Sequence, residues 1–514
     1  MATLTKTVQK AKTAAKTQAK TGPLELKQYI GGRWLDGSSG KEFVSTNPAD
    51  IRQTIGRLTG ADKSDALKAI QAAEKALPAW RATPAPVRGR ILARAVEIAR
   101  RRRDELAVLM TREEGKILPE AKGEMDKGIT LMDWFAGEGL RLGGLTAPSE
   151  LPQNLLYTVR APLGVVSIIT PWNFPWAIPV WKISPALVAG NAVIFKPASL
   201  VPAMAVEIAR IFEEAGLPQG VLNLVMGSGS AIGDVLVEDP RIRAVSFTGS
   251  NEIGKRVHTL CGARGAKATC EMGGKNPCVV WEDADLDLAL GGVLKGAFGS
   301  TGQRCTATSR LILHEKIAEP FIRTLIAEIK KIKVGDGLDS SVGMGPAVDG
   351  SQLQTDLDYI GVAKKEGAKL LWGGRRLEDG ELKHGYFIEP TLFDVVKPSM
   401  RIFKEEVFGP VLGVTRVRSF DEAVSASNAV EFGLTSAVYT RDLSLALRFV
   451  DWVEAGMVHV NSPTVGGEAQ VPFGGVKGSG VGEREMAKEG LHFFTELKTV
   501  FLDYTGRRRQ SNLY

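Results

Sequence analysis

A cysteine in a short run of small and polar residues, at positions 302–306 (GQRCT), is the residue best placed to do chemistry. Apolar periodicity predicts a helix over 285–298, and a strand-like segment covers 309–314, so Cys305 is expected at a helix-to-strand turn. A thiol with a pKa of about 8.5 is only a few per cent thiolate at neutral pH, and a nucleophilic cysteine therefore needs a base, a dipole or a positive charge nearby. Taken alone, the pentapeptide fits a buried, unreactive cysteine better.

The composition restricts the class of protein. The chain has 514 residues, 44% hydrophobic and 24% charged, as expected for a globular protein of two or three domains. Its formal net charge of +7 comes from residues 1–20, which hold five Lys, and from Arg507, Arg508 and Arg509. We therefore interpret 1–22 as a disordered basic tail and expect no nucleic-acid partner.

Cysteine and histidine usage narrows the class further. Four cysteines in a chain of this length argue against a secreted disulfide scaffold, and no CxxC pair or HExxH motif indicates a metal site. The sequence contains no run of about 18 apolar residues, so we expect no membrane span. We expect a cytoplasmic protein without a metal and without a membrane partner.

Short β-rich segments alternate with helical segments from residue 155 onwards. The predicted strands are 165–170, 192–195, 221–225 and 244–247, and the predicted helices between them are 181–188, 201–215, 230–237 and 251–262. This alternation predicts a parallel sheet with helices on both faces. A second alternating series, from 278 to about 460, contains Cys305. The fold class is therefore two doubly wound α/β domains with a crevice between them.

Two glycine-rich segments compete for the phosphates of a dinucleotide. Segment 227–233 (GSGSAIG) follows a strand, but its third glycine comes one residue late for GxGxxG. Segment 247–254 (FTGSNEIG) ends a strand and begins a helix, whose free N–H groups suit a pyrophosphate. Lys196, just after the strand at 192–195, could reach a ribose. Each segment taken alone is as compatible with an ordinary turn.

Six motifs, read together, give the chain a specific resemblance. They are 171–175 (PWNFP), 247–254 (FTGSNEIG), 270–276 (CEMGGKN), 302–305 (GQRC), 405–410 (EEVFGP) and 472–480 (PFGGVKGSG). Over about residues 25–505 the chain resembles the NAD(P)-dependent aldehyde dehydrogenase superfamily. The resemblance implies a Rossmann-like cofactor domain, a catalytic domain and a small β oligomerisation arm, assembled as a homodimer or homotetramer.

The resemblance also implies domain limits. We place the NAD(P)-binding domain at 23–150 and 161–277, the catalytic domain at 278–482, and the arm with the C-terminal tail at 151–160 and 483–514. Strands near 155–160 and 497–504 are expected to pair in the arm.

Four residues receive catalytic roles from the resemblance. Cys305 attacks the aldehyde carbon, and the side-chain amide of Asn173 and the backbone N–H of Cys305 hold the oxyanion of the thiohemiacetal. After oxidation by NAD(P), water hydrolyses the Cys305 thioester with Glu271 as the base, and Lys182 has a supporting role. CoA-acylating relatives usually lack this carboxylate, so a free acid is the expected product.

The cofactor is expected to contact several motifs. Glu406 is expected on the nicotinamide ribose and Phe408 against the ring. Ser199 is the third residue after Lys196, where many NAD-preferring relatives carry a Glu that binds the ribose 2′-OH, so the neutral Ser predicts that NADP is accepted alongside NAD. The other expected cofactor residues are Pro171 and Trp172 on the adenine side, with Thr170, Gly229, Gly233, Phe247, Gly249 and Ser250.

The substrate is the least constrained feature. The expected pocket residues are Phe174, Trp181, Arg304, Thr306 and Phe473. Segments 176–187, 305–310 and 466–470 are similar to bacterial 2-oxoglutarate semialdehyde (2,5-dioxopentanoate) dehydrogenases, which implies a carboxylated semialdehyde. Arg304 could pair with the distal carboxylate or point away from it.

Other functions stay open at this point. They are a broad-specificity aliphatic or aromatic aldehyde dehydrogenase, a succinate semialdehyde dehydrogenase, a CoA-acylating or esterase-like enzyme, and a non-catalytic member of the fold. Trp181 stands where several succinate semialdehyde enzymes carry Arg, and an intact set of Cys305, Glu271 and Asn173 argues against a non-catalytic protein.

Overall fold

The computed structural model describes residues 22–508, so residues 1–21 of the predicted basic tail lie outside the described residues. Two large sheets, with helices packed on them, form the body of the molecule. The helices are α1 (Lys63–Ala82), α2 (Ala85–Glu114), α3 (Leu118–Glu138), α4 (Ala177–Ala189), α5 (Pro202–Glu214), α6 (Gly229–Glu238), α7 (Asn251–Ala263), α8 (Leu286–Phe298), α9 (Glu315–Ile329), α10 (Gly350–Lys365), α11 (Arg401–Lys404), α12 (Phe420–Asn428), α13 (Leu443–Trp452) and α14 (Ala487–Phe493). Short 3-10 turns cover Gly299–Gly302 and Gly380–His384.

The first sheet has eight strands, of which five neighbouring inner strands run parallel, while the sixth inner strand, Gln28–Ile30, is antiparallel. In spatial order the strands are Gly480–Val481, Lys267–Glu271, Ile242–Thr248, Val165–Ile169, Ala192–Lys196, Leu222–Leu224, Gln28–Ile30 and Arg33–Leu35. Four of the five parallel strands are those that the sequence predicts, each shifted by at most two residues at either end, and helices α4 to α7 connect the five. The doubly wound cofactor-type domain is therefore confirmed.

The second sheet has seven strands, of which all but one edge strand run parallel to their neighbours. In spatial order they are Lys369–Trp372, Thr391–Asp394, Val411–Val417, Thr308–His314, Asn276–Val280, Thr435–Tyr439 and Met457–Val460. Buried apolar residues pack on both faces of this sheet, which explains why its strands are almost continuously hydrophobic. The second predicted α/β unit is confirmed.

Three smaller sheets complete the fold. Thr495–Asp503 pairs antiparallel with Asn154–Pro162, and Thr146–Ala147 joins the other side, which confirms the expected pairing of the arm strands. The remaining small sheets are Leu24–Glu25 with Asp50–Thr59 and Glu42–Asn47, and Phe432–Gly433 with Val476–Lys477. No helix within residues 22–508 combines the length and the apolar character needed to cross a bilayer.

Helix α4 begins at Ala177, four residues before the predicted start at Trp181. The reason is a tertiary cap, because Oε1 of Glu124 on α3 accepts hydrogen bonds from the backbone N–H groups of Trp176 (2.9 Å) and Ala177 (3.1 Å). These are orphan donors of a helix start, and a carboxylate also suits the positive end of the helix dipole. A cap supplied from 52 residues away leaves no local sequence signal.

The strand ends bring the predicted site residues together. In the first sheet, Lys196 and Glu271 are the last residues of parallel strands, and Asn173 follows the end of another. In the second sheet, Cys305 lies in the turn that leads into Thr308–His314. The site is therefore formed where the carboxyl edge of one sheet meets the amino edge of the other, as expected for a ligand crevice in α/β proteins.

Candidate active site

Cys305 follows a left-handed turn. Ser300, Thr301 and Gly302 have φ values of 48°, 57° and 67°, of which only the last is a glycine. A non-glycine residue in this region costs about 1–3 kcal/mol, so the surrounding contacts must hold the turn in place. A Cβ at position 302 would come within 2.2 Å of the carbonyl oxygen of Gly409, so the close approach also requires glycine.

The side chain of Gln303 anchors the turn. Its Oε1 accepts a hydrogen bond from the backbone N–H of Val348 (2.9 Å), and its Nε2 donates to the carbonyl of Pro346 (3.2 Å). The backbone carbonyl of Gln303 accepts a hydrogen bond from Nδ2 of Asn173 at 3.0 Å. The amide of Asn173 thus lies against the backbone two residues before Cys305.

A buried ion pair fixes Asn173 from the other side. Nζ of Lys116 donates to the backbone carbonyl of Asn173 (2.7 Å) and to Oε2 of Glu124 (2.5 Å). Because Glu124 also caps α4, one network positions both Asn173 and the helix that follows it. The sequence analysis missed Lys116 and Glu124, since neither lies in a recognisable motif.

Cys305 is the only one of the four cysteines that is not fully buried. Burial raises the pKa of its thiol to about 12, and the neighbouring carboxylates of Glu406 and Glu271 raise it further in the same direction. The thiol is therefore protonated at rest, and a positive charge brought beside it would favour the thiolate.

Glu271 ends its strand facing the same crevice. Its Oε2 accepts a hydrogen bond from the backbone N–H of Gly475 at 3.1 Å. Burial, with a contribution from the nearby Glu485, raises the pKa of the Glu271 carboxyl well above its ordinary value. A carboxylate with a raised pKa is a stronger base towards water than an exposed one.

Lys182 belongs to a second buried ion pair. Its Nζ donates to Oγ of Ser246 (2.9 Å) and to Oε1 of Glu485, while Oε2 of Glu485 accepts from Nε1 of Trp181 (2.8 Å). Glu485 thus links the C-terminal part of the chain to α4, and the sequence analysis missed it. The only feature of the sequence that could have pointed to Glu485 is that it is an acidic residue shortly after the glycine-rich segment 472–480.

The residues expected for cofactor phosphates and ribose lie along the carboxyl edge of the first sheet. Nζ of Lys196 is buried, has no carboxylate partner in the described part of the chain, and donates a hydrogen bond to the carbonyl of Pro197 at 3.4 Å. Burial lowers the pKa of Lys196 to about 8. A Cβ at Gly229 or Gly233 would meet no atom within 4 Å, so the start of α6 faces open space. These residues fit an anionic dinucleotide.

Neighbouring segments complete this edge. Oγ of Ser199 lies 3.4 Å from the carbonyl of Gly227. Ser250 forms the N-cap of α7 without using its side chain, and Gly249 packs so closely on Phe247 that a Cβ would come within 2.6 Å of the ring. The side-chain hydroxyl of Thr170 is buried without a hydrogen-bond partner among residues 22–508.

Glu406 lies close enough to Cys305 to raise the pKa of its thiol, and Phe408 follows Glu406 by two residues. Oε1 of Glu406 accepts a hydrogen bond from the backbone N–H of Gly274 (2.8 Å), and burial raises the pKa of its carboxyl to about 7. Trp172 contacts Phe408 edge-on with ring centroids 5.4 Å apart. Trp172, and Pro171 beside it, therefore lie at the Phe408 end of the cleft, although we expected them on the adenine side.

The opposite side of Cys305 is apolar. Cys305 and Phe174 pack against a buried cluster that includes Trp181 and Phe473, whose rings lie 5.4 Å apart. Thr306 is buried, and its carbonyl accepts a hydrogen bond from Thr464 (2.7 Å). This wall suits the carbon chain of an aldehyde.

Arg304 is engaged in contacts within the protein. Its guanidinium donates to Oγ of Ser300 (2.7 Å and 2.9 Å) and to Oε1 of Glu120 (3.0 Å). Glu120 also accepts from the backbone N–H of Ser300 at 2.7 Å, so Arg304 supports the left-handed turn.

No three His, Cys, Asp or Glu side chains in the described ranges lie together in a way that could hold a metal ion.

Comparison with known proteins agrees with this geometry. Residues 34–500 match the aldehyde dehydrogenase family. The chain is 45% identical to an alpha-ketoglutaric semialdehyde dehydrogenase of Bacillus subtilis, covering 92% of this chain and 97% of the relative. It is 44% identical to a 2,5-dioxopentanoate dehydrogenase of Saccharolobus solfataricus, covering 93% and 99%.

A solved structure gives the same result for the fold. Betaine aldehyde dehydrogenase from Staphylococcus aureus, crystallised with NAD+, superposes with a TM-score of 0.91 at 35% identity, covering 94% of this chain and 96% of that one. The family match covers Cys305, the whole second sheet and the parallel strands of the first, and the expected family resemblance is confirmed. The chain therefore belongs to the aldehyde dehydrogenase family and is an NAD(P)-dependent aldehyde dehydrogenase that converts an aldehyde to the carboxylic acid.

Proposed function

We propose that the physiological substrate is a carboxylated semialdehyde, with 2,5-dioxopentanoate as the best candidate and 2-oxoglutarate as its product. The observation that carries this proposal is the identity of 44–45%, over more than nine tenths of the chain, with relatives named for that substrate. The apolar wall beside Cys305 supports it, because it accommodates a short carbon chain. The net reaction is aldehyde, NAD(P)+ and water to carboxylate, NAD(P)H and protons.

Cys305 is proposed as the nucleophile. After the thiol has released its proton to water, the sulfur bonds to the aldehyde carbon, the electron pair of the C=O π bond moves to the oxygen, and the amide of Asn173 and the backbone N–H of Cys305 stabilise the resulting anion. Asn173 is suited to stabilising this anion because its amide contacts Gln303 and its backbone carbonyl contacts Lys116. A donor that is already held in place needs little reorganisation when the anion forms. When bound, the oxidised nicotinamide supplies the acceptor for the electron pair of the substrate C–H bond.

Glu271 is proposed as the base of the second half-reaction. It takes a proton from water as the water oxygen attacks the thioester carbon, and the sulfur of Cys305 leaves. The raised pKa of Glu271 supports this role, because a less acidic carboxyl group is a stronger base towards water. Lys182 and Glu485 lie behind Glu271 and act through its electrostatics.

Lys196 and Ser199 are proposed to bind the adenosine ribose of either cofactor. Lys196 is a buried cation without an anionic partner among the residues described; a ribose 2′-phosphate would supply one, and a ribose hydroxyl would accept a hydrogen bond from its ammonium group. Ser199 carries no charge that would repel a 2′-phosphate. Glu406, Phe408 and Trp172 are proposed to hold the nicotinamide end beside Cys305.

The arm is proposed as an oligomer contact, with the domain limits placed as in the sequence analysis. Thr495–Asp503 is an edge strand whose Leu497 and Phe501 are 58% and 73% exposed. Exposed apolar residues on an unpaired edge favour association with another copy, so we propose a homodimer or homotetramer. The absence of disulfides among the four cysteines supports a cytoplasmic location.

The test is kcat/KM for 2,5-dioxopentanoate, succinate semialdehyde and hexanal, each with NAD and with NADP. We expect 2,5-dioxopentanoate to be preferred over both others by at least about tenfold, or ~1.4 kcal/mol. Equal or better turnover of hexanal would contradict the proposed substrate and favour a broad-specificity enzyme.

A further inference from the structure

Lys127 on α3 is a cation that the site described above does not use. It is only partly exposed, and its Nζ has no ion-pair or hydrogen-bond partner among residues 22–508. The other two cations nearby are both paired, since Lys116 lies 2.5 Å from Glu124 and Arg304 lies 3.0 Å from Glu120. Lys127 is therefore the cation of this region whose charge is not balanced by the protein.

The position of Lys127 places it on the substrate side of Cys305. Its Nζ lies 5.8 Å from the ring centroid of Trp181. Leu131, one turn further along α3, is buried in the same cluster as Trp181 and Phe473, against which Cys305 packs. The ammonium group therefore borders the wall along which a substrate chain would extend from the sulfur.

A glycine leaves room for the Lys127 ammonium group. A Cβ at Gly467 would lie 3.3 Å from Nζ of Lys127, so a side chain at that position would crowd the ammonium. The backbone of Gly467 has a φ of 150°, which L-residues rarely adopt. Segment 466–470 thus covers the end of the Lys127 side chain without filling the space in front of it.

The electrostatics agree with an anion-binding role. Burial lowers the pKa of Lys127, the nearby Glu124 carboxylate acts against this, and the cationic Arg304 acts in the same direction as burial. Glu124 is already bound by Lys116 and by the start of α4. A partly desolvated cation without a counter-ion is unfavourable, and an anionic ligand would remove that cost.

We propose that Lys127 binds the distal carboxylate of the aldehyde substrate and thereby selects carboxylated semialdehydes over uncharged aldehydes of the same length. The proposal rests on the proposed function, because Cys305 must hold the aldehyde end while the chain packs on Trp181 and Phe473. It assigns to Lys127 the role that the sequence had suggested for Arg304, whose guanidinium is already satisfied by Ser300 and Glu120.

The test compares two substrates that differ only in the distal group, 5-oxopentanoate and pentanal. The variants are Lys127→Met, Lys127→Gln and Lys127→Arg, with Lys122→Met as the matched control. Lys122 lies on the same helix, and its Nζ pairs with Asp104 at 3.4 Å. The folded state of each variant is checked by its thermal midpoint, and the steady-state constants are measured with saturating cofactor.

We expect Lys127→Met and Lys127→Gln to lower kcat/KM for 5-oxopentanoate by at least about 30-fold, mainly through KM, because a desolvated charged contact is lost. Pentanal should change by less than about threefold, and Lys127→Arg should keep at least a tenth of the activity on 5-oxopentanoate, since it retains the charge. Competitive inhibition by glutarate should weaken in parallel, which reports binding without turnover.

Two different failures are distinguishable. If the parent enzyme prefers pentanal to 5-oxopentanoate, the proposed function is wrong, and the role of Lys127 falls with it. If the parent prefers 5-oxopentanoate and the Lys127→Met and Lys127→Gln variants keep that preference and their glutarate inhibition, the substrate class stands and the Lys127 proposal is overturned.

Discussion

The two sides of Cys305 are built in different ways. On the cofactor side, Glu271 and Glu406 each lie in a contiguous motif at or near a strand end, and their partners are backbone N–H groups of glycines. On the substrate side, Trp181, Phe473 and Lys127 come from three segments far apart in the chain and meet only through packing. The chemistry is thus fixed by local motifs, whereas the choice of substrate is fixed by tertiary contacts.

Removing the amide of Asn173 should lower the turnover of carboxylated and uncharged aldehydes equally, because the amide stabilises the oxyanion formed from either substrate. We expect Asn173→Ala to lower kcat by about 100–1,000-fold for 5-oxopentanoate and for pentanal alike. Asn154→Ala in the arm, which loses a hydrogen bond to Ser149, is the control for losing an Asn amide. A strong effect on only one of the two aldehydes would mean that Asn173 recognises the substrate.

The alkylation rate of the Cys305 thiol should depend on the groups and the cofactor on one side of the sulfur, and not on the substrate wall. Since the pKa of the free thiol is raised to about 12, its alkylation rate in the free enzyme should rise about tenfold per pH unit from pH 6 to pH 9, without a plateau. Bound NAD+ brings a positive ring, so the plateau should move to lower pH and the rate at pH 7 should increase by about tenfold or more. A plateau near pH 7 in the free enzyme would contradict this description of the thiol.

A charge at position 199 should change the cofactor preference and leave the substrate side unaffected. We expect Ser199→Glu to lower the NADP-to-NAD ratio of kcat/KM by about tenfold or more, because a carboxylate repels the 2′-phosphate and accepts from the 2′-OH. Ser199→Gln is the matched neutral control. The prediction that the parent enzyme accepts NADP fails if its turnover with NADP is under about a hundredth of that with NAD.

The contrast between local motifs and tertiary contacts explains which features of the fold and of the site the sequence predicts. Strand–helix alternation predicted both parallel sheets, because the periodicity of buried strands and amphipathic helices is local. The motifs placed Glu271 and Asn173 at the carboxyl edge of the first sheet and Cys305 at the amino edge of the second sheet, and these two edges meet in the crevice. The start of α4 was placed four residues late, because its cap is the carboxylate of Glu124 on another helix.

The residues that sequence reasoning missed share one property. Lys116, Lys127 and Glu485 lie on helices or loops without a motif, and their positions depend on how α3 and the C-terminal segment pack on α4. Arg304 was considered for the substrate because it adjoins the nucleophile in sequence, yet its guanidinium pairs with Glu120, 184 residues earlier. Adjacency in sequence does not determine which wall of the crevice a long side chain faces.

The central claim is that Cys305 carries the acyl group as a thioester that Glu271 then helps water to release. Pre-steady-state formation of NADH by the Glu271→Gln enzyme tests it most directly, together with the intact mass of the protein during turnover. The account predicts a burst of about one NADH per subunit, an acyl adduct on Cys305, and steady turnover slowed by about 100-fold or more. Steady turnover at the parent rate with neither a burst nor an adduct would contradict it.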